Sequence, residues 1–472
     1  MIRNARLIDG TGAPSRHGGV ALRDGRIAAV GDVGGLAARH TLDAGGKALA
    51  PGFIDAHTHD DRALLSAPDM AMKVSQGVTT VICGNCGVSL APLVRAAVPP
   101  PLDLIDDGGW YRFPTVAAFL AEVAANPPAV NAAFLVGHMT LRVGAMDRFD
   151  RAASPGEIAA MRARLEEGLA AGAIGFSTGL YYKPSNAAPT EEVIEVARPL
   201  KEAGGLYVTH MRDETEGVMD SLAETCRIGR EVGVPVIVSH HKVVGVENFG
   251  RTRETLAYID RMRALQEIGF DVYPYHASST VLRMDTARRS RKVQVTWSRS
   301  HPEMAGRSLA EIAAGWGVDQ DTAAERLQPA GAVYFSMDEE DVRRVLSHPA
   351  AMVGSDGLPH DAKPHPRLWG TFPRVLGHYS RELGLFALEE AVRRMTGLTA
   401  ARFGLKDRGV LAPGAHADLV LFDPDTVIDR ADFADSTRPA DGILGVWVNG
   451  EPVWRDGAAT GARPGRVLKR AA

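Results

Sequence analysis

Cysteine is scarce in this sequence, and long apolar runs and an excess of basic residues are missing. The 3 cysteines among 472 residues are too few for a disulfide framework. No apolar run is long enough to cross a bilayer, and the N-terminal MIRNARLIDG lacks the apolar core of a secretory signal. A formal net charge of −4 implies no basic surface for nucleic acid. We therefore expect a reduced, cytoplasmic protein of enzyme size, with neither a membrane nor a nucleic acid as partner.

The sequence does contain a repeated alternation of short apolar runs and helical patterns. The runs have the composition of strands buried on both faces, as in a parallel sheet. Eight such strands alternating with helices predict an α/β fold, a (β/α)8 TIM-type barrel within residues 51–407. The runs are GFIDAHTH, TTVICGNCG, AAFLVGHMT, AIGFSTGL, GLYVTH, VPVIVSH, GFDVYPY and AMVGSDG. Between two of them, Ser154, Pro155 and Glu157 form the N-cap, N1 and capping-box pattern of a helix start.

Both ends of the chain depart from this alternation. Residues 1–50 and 408–472 show β-type alternation with Gly-rich turns, so we expect the two termini to form one small β-sandwich domain. A further segment, roughly residues 283–332, interrupts the last barrel repeat with many arginines and short helical pieces. We interpret this segment as an insertion near the barrel mouth.

Metal-binding side chains recur at the ends of the predicted strands. His57 and His59 are two residues apart, so they project to the same face of the first barrel strand. A lone histidine is usually a core or hydrogen-bonding residue. A His-x-His pair at the C-terminal end of a barrel strand favours a metal, because barrel sites gather there. Four more residues lie at or just past strand ends: Cys86, His210, His240 and Asp356.

The other cysteines and histidines have simpler explanations. Cys83, in CGNCG, is better interpreted as a small buried residue than as part of a C-x-x-C motif. Cys226 falls in a helical pattern and is expected in the core, whereas His241 should point away from the face that His240 occupies. No role follows from the sequence for His138, at the end of the third run. The terminal regions contain three histidines that we expect to be structural or exposed: His17, His40 and His416.

Taken in order, seven segments resemble the amidohydrolase superfamily and, within it, the N-acyl-D-amino-acid deacylase (D-aminoacylase) family. The segments are PGFIDAHTHDD, GNCGVS, GFSTGLYY, THMRDE, SHHK, GSDG and GVLAPGAHADLVLFD, and they span nearly the whole chain. The resemblance implies the barrel with its terminal β-sandwich. It also implies zinc-dependent hydrolysis of an N-acyl-D-amino acid to a carboxylate and a free D-amino acid.

The resemblance further implies two metal positions. The tightly held zinc would be bound by Cys86, His210 and His240. A second, weaker position would be bound by His57, His59 and Asp356. Asp356 would also transfer a proton from water to the leaving nitrogen, since an amine leaves poorly unless it is protonated. In this family the cysteine after strand two takes the bridging place that a carbamylated lysine takes in many other superfamily members.

For the substrate, the resemblance points to residues that would hold the free α-carboxylate. They are Lys242, Tyr182, Tyr273, Ser279 and Arg367. Tyr273 could equally pack in the barrel, and Arg367 could form a surface ion pair. The side-chain preference stays open between acidic and apolar D-amino acids, although we favour neutral or apolar ones. The arginines that raise the question are Arg283, Arg288, Arg289 and Arg291, which could equally form a solvated face.

Two other functions compete with this one. A cyclic amide hydrolase of the hydantoinase or dihydroorotase type would share the barrel and the histidines. It would require a lysine at the end of strand four, and the nearest one, Lys183, follows in the loop. A non-catalytic amidohydrolase-like scaffold would have lost metal ligands, whereas all six residues are present here. The acyl preference, the occupancy of the second metal position and the oligomeric state do not follow from the sequence.

Overall fold

The computed structural model of the protein describes residues 1–106 and 109–470. Its centre is an eight-stranded parallel sheet in which every strand pairs with its neighbours in sequence order. The first and last strands also meet, because Ala56 donates its backbone N–H to the Val353 carbonyl at 3.2 Å and Thr58 bridges Gly357. The (β/α)8 barrel is therefore confirmed. Barrel strands 1 to 8 are Phe53–Asp55, Val78–Cys83, Asn131–Gly137, Gly175–Gly179, Leu206–His210, Val236–Val238, Ile268–Val272 and Ala351–Val353.

The barrel interior is a packed apolar core. Its side chains include Ile54, Ile82, Leu135, Val208 and Ile237, each at most 2% exposed. Branched residues of this kind fill barrels, because they leave no channel between the strands. Polar groups at the carboxyl ends of the strands therefore rest on a rigid apolar floor.

Helices cover the outside of the barrel and fill the loops. The long helix between strands 3 and 4 begins as predicted, with a capping box between Ser154 and Glu157 and Pro155 in the first turn. The α-helices are Ala63–Ser66, Ala71–Val74, Val116–Ala125, His138–Ala145, Pro155–Ala171, Lys183–Asn186, Thr190–Ala197, Pro199–Glu202, Val218–Val232, Thr252–Arg263, Met284–Ala287, Leu309–Trp316, Gln320–Leu327, Glu339–Ser347, Arg367–Arg374, Leu388–Met395 and Gly397–Phe403. A π-helical stretch, Val375–Glu382, continues one of them. In the part of the chain that is described, no helix has both the length and the apolar character to cross a membrane.

Strands from both termini form a second, nine-stranded sheet, as expected for the small β domain. The two halves join where Leu419–Phe422 runs antiparallel to Ala48–Pro51. The strands are Ile2–Leu7, Arg16–Arg23, Arg26–Gly31, Leu42–Asp43, Ala48–Pro51, Leu419–Phe422, Ile443–Val448, Glu451–Arg455 and Ala458–Ala459. Ala48–Pro51 is separated from barrel strand 1 by a single residue, so this sheet is tied directly to the barrel.

The segment between barrel strands 7 and 8 contains more than the short helices expected from its sequence. It forms a three-stranded antiparallel sheet of Ser278–Val281, Val293–Ser298 and Ala330–Tyr334. The sheet has its own apolar cluster, which includes Val295, Leu309 and Leu327. One further two-stranded pair, Leu93–Val94 with Arg112–Phe113, lies in the loop after barrel strand 2.

Candidate metal centre and active-site cavity

The carboxyl ends of the barrel strands open into a cavity of about 440 Å3. Five of the predicted metal-binding residues line it: His59, Cys86, His210, His240 and Asp356. The sixth, His57, lies immediately beside them and is fully buried. The barrel therefore brings together six side chains that are up to 299 positions apart in sequence, between His57 and Asp356.

Cys86 lies at the centre of this cluster. Its Sγ is 3.3 Å from His57 Nε2 and 3.3 Å from His240 Nε2. Burial alone would raise the pKa of the thiol, but His57 and His240 hold it well below its ordinary value. The structure thus favours a thiolate, which is the form that binds metals.

Asp356 faces the same cluster from the turn after barrel strand 8. Its Oδ1 lies 3.4 Å from His57 Nε2 and 3.2 Å from His59 Nε2. Its Oδ2 lies 2.9 Å from Nη1 of Arg367, whose side chain is 1% exposed. Burial would raise the pKa of this carboxyl, but Arg367 and His57 keep it well below its ordinary value. Asp356 is therefore a carboxylate, able to bind a cation or accept a proton.

Three of the six residues have left-handed backbone, which side-chain-bearing residues rarely adopt. The φ angles are 52° at Cys86, 35° at His240 and 50° at Asp356. Such residues cost of order 1–3 kcal/mol each and cluster at functional sites. All three follow the end of a barrel strand, where the chain must turn sharply while its side chain stays aimed at the cavity.

The donor set fits zinc. The ligand atoms of His57, Cys86, His240 and Asp356 lie within 4.8 Å of one another. A Zn–S bond of about 2.3 Å and a Zn–N bond of about 2.0–2.1 Å separate sulfur and nitrogen by about 3.6 Å in a tetrahedron. The 3.3 Å from Cys86 Sγ to His240 Nε2 is close to that value. His210 adds a buried Nδ1 that has no hydrogen-bond partner in the described parts of the chain.

Two buried carboxylates behind the histidines were not singled out from the sequence. Asp271, in barrel strand 7, lies 3.4 Å from His57 Nδ1 and accepts the His240 backbone N–H at 2.9 Å. Glu214, four residues after His210, lies 3.2 Å from His240 Nδ1. Asp271 is an acidic residue inside an apolar strand, and this exception to the pattern could have identified it from the sequence as a functional residue. Glu214 stands in a polar loop, THMRDE, so composition gave no sign of its burial.

A buried ion cluster lies under the site. Lys73 is fully buried and donates to Asp55 at 2.8 Å and to Ser355 Oγ at 2.9 Å, and its Nζ lies 3.2 Å from Asp60. Asp55 in turn accepts the backbone N–H groups of Ser355 at 2.7 Å and His57 at 3.3 Å. This cluster fixes barrel strand 1 relative to the turn that carries Asp356.

The residues predicted to hold the substrate lie in the cavity lining or directly behind it. Tyr182, Lys242, Tyr273 and Ser279 line it, and Arg367 lies behind them. Two cations lie near the Tyr273 ring: Lys242 Nζ is 5.8 Å and the Arg367 guanidinium carbon 4.6 Å from its centroid. Tyr182 Oη is 2.9 Å from Thr280 Oγ1, so the segment between barrel strands 7 and 8 contributes to the cavity wall. Arg367 is neither exposed nor in a surface ion pair.

Several alternatives raised by the sequence lie away from the cluster. His241 points outward, with Nε2 2.9 Å from Thr255 Oγ1. Cys83 is buried, with Sγ 3.4 Å from Thr58 Oγ1. Lys183 is exposed at the start of a short helix beyond strand 4. His138 is buried beside Glu192 at 3.4 Å and Cys226 is in the core, whereas His17 and His40 are exposed and His416 is half-buried.

The four arginines of the insertion already have partners. Arg283 pairs with Asp285 at 2.5 Å and covers the Tyr181 ring at 4.4 Å. The others are paired as follows: Arg288 with Asp321, Arg289 with Glu216 and Glu247, and Arg291 over the Phe249 ring at 4.9 Å. Only Arg289 of the four lines the cavity, and two carboxylates neutralise it. The arginine-rich sequence is thus mainly an ion-paired face.

Known proteins resemble this chain over its whole length. The sequence profile of the amidohydrolase family matches residues 40–286 and 222–454. The D-aminoacylase of Alcaligenes xylosoxydans xylosoxydans is 56% identical over 472 residues, covering 100% of this chain and 98% of that protein. A solved structure of D-aminoacylase, described with a binuclear metal centre, has a TM-score of 0.98 and 55% identity, covering 99% of both chains.

A structure of the N-acyl-D-glutamate deacylase of Bordetella bronchiseptica, complexed with zinc and a phosphonate inhibitor, has a TM-score of 0.95 and 50% identity. That match covers 99% of this chain and 98% of the other. The fold and the site define a metal-dependent hydrolase of the amidohydrolase superfamily. Within it, the chain belongs to the N-acyl-D-amino-acid deacylase family.

Proposed function

We propose that the protein uses zinc to hydrolyse the amide bond of N-acyl-D-amino acids, releasing a carboxylate and a free D-amino acid. The observation that carries this proposal is the cysteine–histidine–aspartate cluster at the barrel mouth, with two buried cations beside it. The cluster supplies ligands for a Lewis acid. The cations supply partners for the free carboxylate that distinguishes an N-acyl amino acid from a simple amide.

Metal ligation follows the donor chemistry. Cys86, His210 and His240 would hold one zinc tightly, because thiolate and imidazole are the ligands zinc prefers. A weaker second position would use His57, His59 and Asp356, with Cys86 between the two positions. When bound, zinc polarises the amide carbonyl and lowers the pKa of water.

Asp356 would move the proton. Its Oδ1 faces the histidine cluster and its Oδ2 is held by Arg367, so the carboxylate is fixed at the edge of the cavity. It would accept a proton from water as the oxygen attacks the amide carbon. It would then deliver that proton to the nitrogen as the C–N bond breaks.

The α-carboxylate would bind beside Tyr273, close to the two cations that lie near its ring. Arg367 and Lys242 are both buried, so each would form stronger charge-assisted bonds than in water. Tyr182 and Ser279 also line the cavity and add hydroxyl groups to it. With the carboxylate and the carbonyl carbon both fixed, only one hand of the α-carbon directs its side chain into open space, which would select the D-isomer.

The side chain would be neutral or apolar. The cavity lining includes four aliphatic side chains, those of Val88, Leu104, Ile105 and Leu358. An acidic side chain would need a cation beside these apolar residues, and of the four insertion arginines only Arg289 lines the cavity. Burying a neutral polar group without a hydrogen bond costs about 2–7 kcal/mol. An unpaired carboxylate next to these aliphatic side chains would cost more, because it is charged.

The test is a substrate panel with zinc-loaded protein. We expect release of amino acid from N-acetyl-D-leucine and N-acetyl-D-methionine. Release from N-acetyl-D-aspartate and N-acetyl-D-glutamate should be at least about tenfold slower, because their side-chain carboxylate would have no cationic partner in the cavity. The matching L-isomers should be nearly inert. Equal rates for both isomers would contradict the deacylase assignment, and faster turnover of the acidic substrates would contradict the apolar pocket.

Hydantoin and dihydroorotate belong in the same panel, because a cyclic amide hydrolase is the competing function. Such an enzyme would need a lysine near the metals, and barrel strand 4 (Gly175–Gly179) contains none. Turnover of these cyclic amides in preference to the linear ones would favour the competing function. A protein without bound metal or activity would favour the scaffold.

A further inference from the structure

Glu214 lies behind two of the proposed zinc ligands. It is 7% exposed, in the loop after barrel strand 5. Its Oε1 is 3.2 Å from His240 Nδ1, and its Oε2 is 3.8 Å from His210 Nε2. Lys242 Nζ donates to the same carboxylate at 2.7 Å.

In both rings, the nitrogen remote from Glu214 is the one left available for a metal. His240 Nε2 lies 3.3 Å from Cys86 Sγ, on the far side of the ring from Glu214. In His210, Nδ1 is the buried nitrogen that has no hydrogen-bond partner within the described chain. Because Cys86 and Glu214 lie on opposite sides of His240, Glu214 cannot share a metal with Cys86 through that ring.

A neutral imidazole that gives one lone pair to a metal has its proton on the other nitrogen, and this N–H needs an acceptor. Lys242 Nζ is 2.8 Å from His240 Nδ1, but an ammonium group only donates. The Glu214 carboxylate is the acceptor within reach. Without Glu214, the Lys242 ammonium group would donate a hydrogen bond to His240 Nδ1. The imidazole proton would then be on Nε2, the nitrogen that faces Cys86.

We propose that Glu214 is a positioning residue for the zinc site: it holds the His240 proton on Nδ1 by a hydrogen bond and attracts the Nε2–H of His210 by charge. The inference rests on the proposed zinc ligation by Cys86, His210 and His240. Glu214 also fixes Lys242, so one carboxylate links the metal ligands to the residue proposed to hold the substrate.

The experiment measures zinc affinity of the apo-protein by competition with a chromophoric chelator, for the wild type and Glu214→Gln. The amide oxygen of glutamine still accepts a hydrogen bond, but the amide NH2 group would face the Lys242 ammonium group. We expect zinc to bind about 10- to 100-fold more weakly in the variant, the usual effect of losing such a partner. The cobalt-substituted proteins report geometry separately, since the thiolate charge-transfer band should shift in the variant.

The matched control is Glu231→Gln, which removes a partly exposed carboxylate paired with Arg227 on the following helix and should leave zinc affinity unchanged. Wild-type affinity and an unshifted cobalt spectrum in Glu214→Gln would overturn the proposal. If Glu214→Gln does not fold, Glu214→Asp replaces it, since this variant keeps the negative charge but moves it away from the histidines by one methylene group. Wild-type zinc affinity in Glu214→Asp would also overturn the proposal. Retention of zinc by Cys86→Ala would instead show that the ligand assignment is wrong.

Discussion

Replacing Lys73 by methionine should destabilise the protein more than any surface change. The side chains of Lys73, Asp55 and Asp60 are all fully buried, and Lys73 Nζ contacts both carboxyl groups. Lys73→Met keeps the apolar stem but leaves both acids without their cation. Breaking a buried pair by removing one partner typically costs about 3–5 kcal/mol. The lost bond to Ser355 Oγ adds on the order of 1 kcal/mol.

The expected total loss of about 4–6 kcal/mol is a large part of the 5–15 kcal/mol typical of whole proteins. Lys47→Met is the matched control, because Lys47 and Asp423 form a 2.7 Å pair in which the lysine is 38% exposed. An exposed pair of that kind contributes about 0–1 kcal/mol. Urea unfolding of both zinc-loaded variants, followed by circular dichroism, measures the difference.

A double-mutant comparison tests the reasoning behind the number. Neither carboxyl oxygen of Asp60 has a hydrogen bond within the described chain, whereas Asp55 also accepts two backbone N–H groups. Asp60→Asn should therefore recover more stability in the Lys73→Met background than Asp55→Asn does. A Lys73→Met protein within about 1 kcal/mol of the wild type, the range of an exposed pair, would refute the account.

Three other changes have defined outcomes. Cys86→Ala should sharply lower the zinc content measured by mass spectrometry, and unchanged zinc would remove this thiol from the site. Asp356→Asn should lower kcat by at least about a hundredfold while the tight zinc is retained, because general acid–base catalysis contributes about 10²–10⁴-fold. Near-normal kcat would assign the proton transfer elsewhere, and complete zinc loss would make Asp356 chiefly a ligand. Burial raises the pKa of Asp361 to about 7. The folded state then keeps a proton that the unfolded chain has lost, so stability should fall as pH rises from about 4 to about 7. Asp361→Asn should flatten this fall in urea midpoints, and an unchanged slope would show that another group causes it.

Most of the architecture followed from local pattern. Each of the eight apolar runs became a barrel strand, because strands buried on both faces need continuous apolar sequence. The secondary structure of the insertion was harder to predict. Its segment VQVTWS at 293–298 has strand-like alternation but lies among arginines and helical pieces. Its strands pair with partners up to 56 residues away, between Ser278 and Tyr334. Pairing between strands so far apart in the sequence cannot be inferred from a short stretch of residues.

The six proposed ligands were found because a parallel barrel collects the ends of its strands at one edge. The carboxylates behind the histidines were not found from the sequence. Glu214, for example, lies in a loop whose polar composition also suits a solvated surface. Its burial depends on Lys242, which follows a different strand. The left-handed backbone at Cys86, His240 and Asp356 was equally invisible, because nothing in these residue types requires it. Whether the six residues act as assigned stays a prediction for the variants above.

The carboxylates behind the imidazoles suggest why the site is built across so many strands. Asp271 lies 3.4 Å from His57 Nδ1, and Glu214 lies 3.2 Å from His240 Nδ1. Both rings thus have an acidic group on the side away from Cys86, which favours a lone pair on the nitrogen that faces it. Asp271 also accepts the His240 backbone N–H, so one carboxylate on strand 7 sets the relative positions of ligands from strands 1 and 6. A metal site held in this way needs the closed barrel, because opening any of those strand pairs would separate a ligand from the group that orients it.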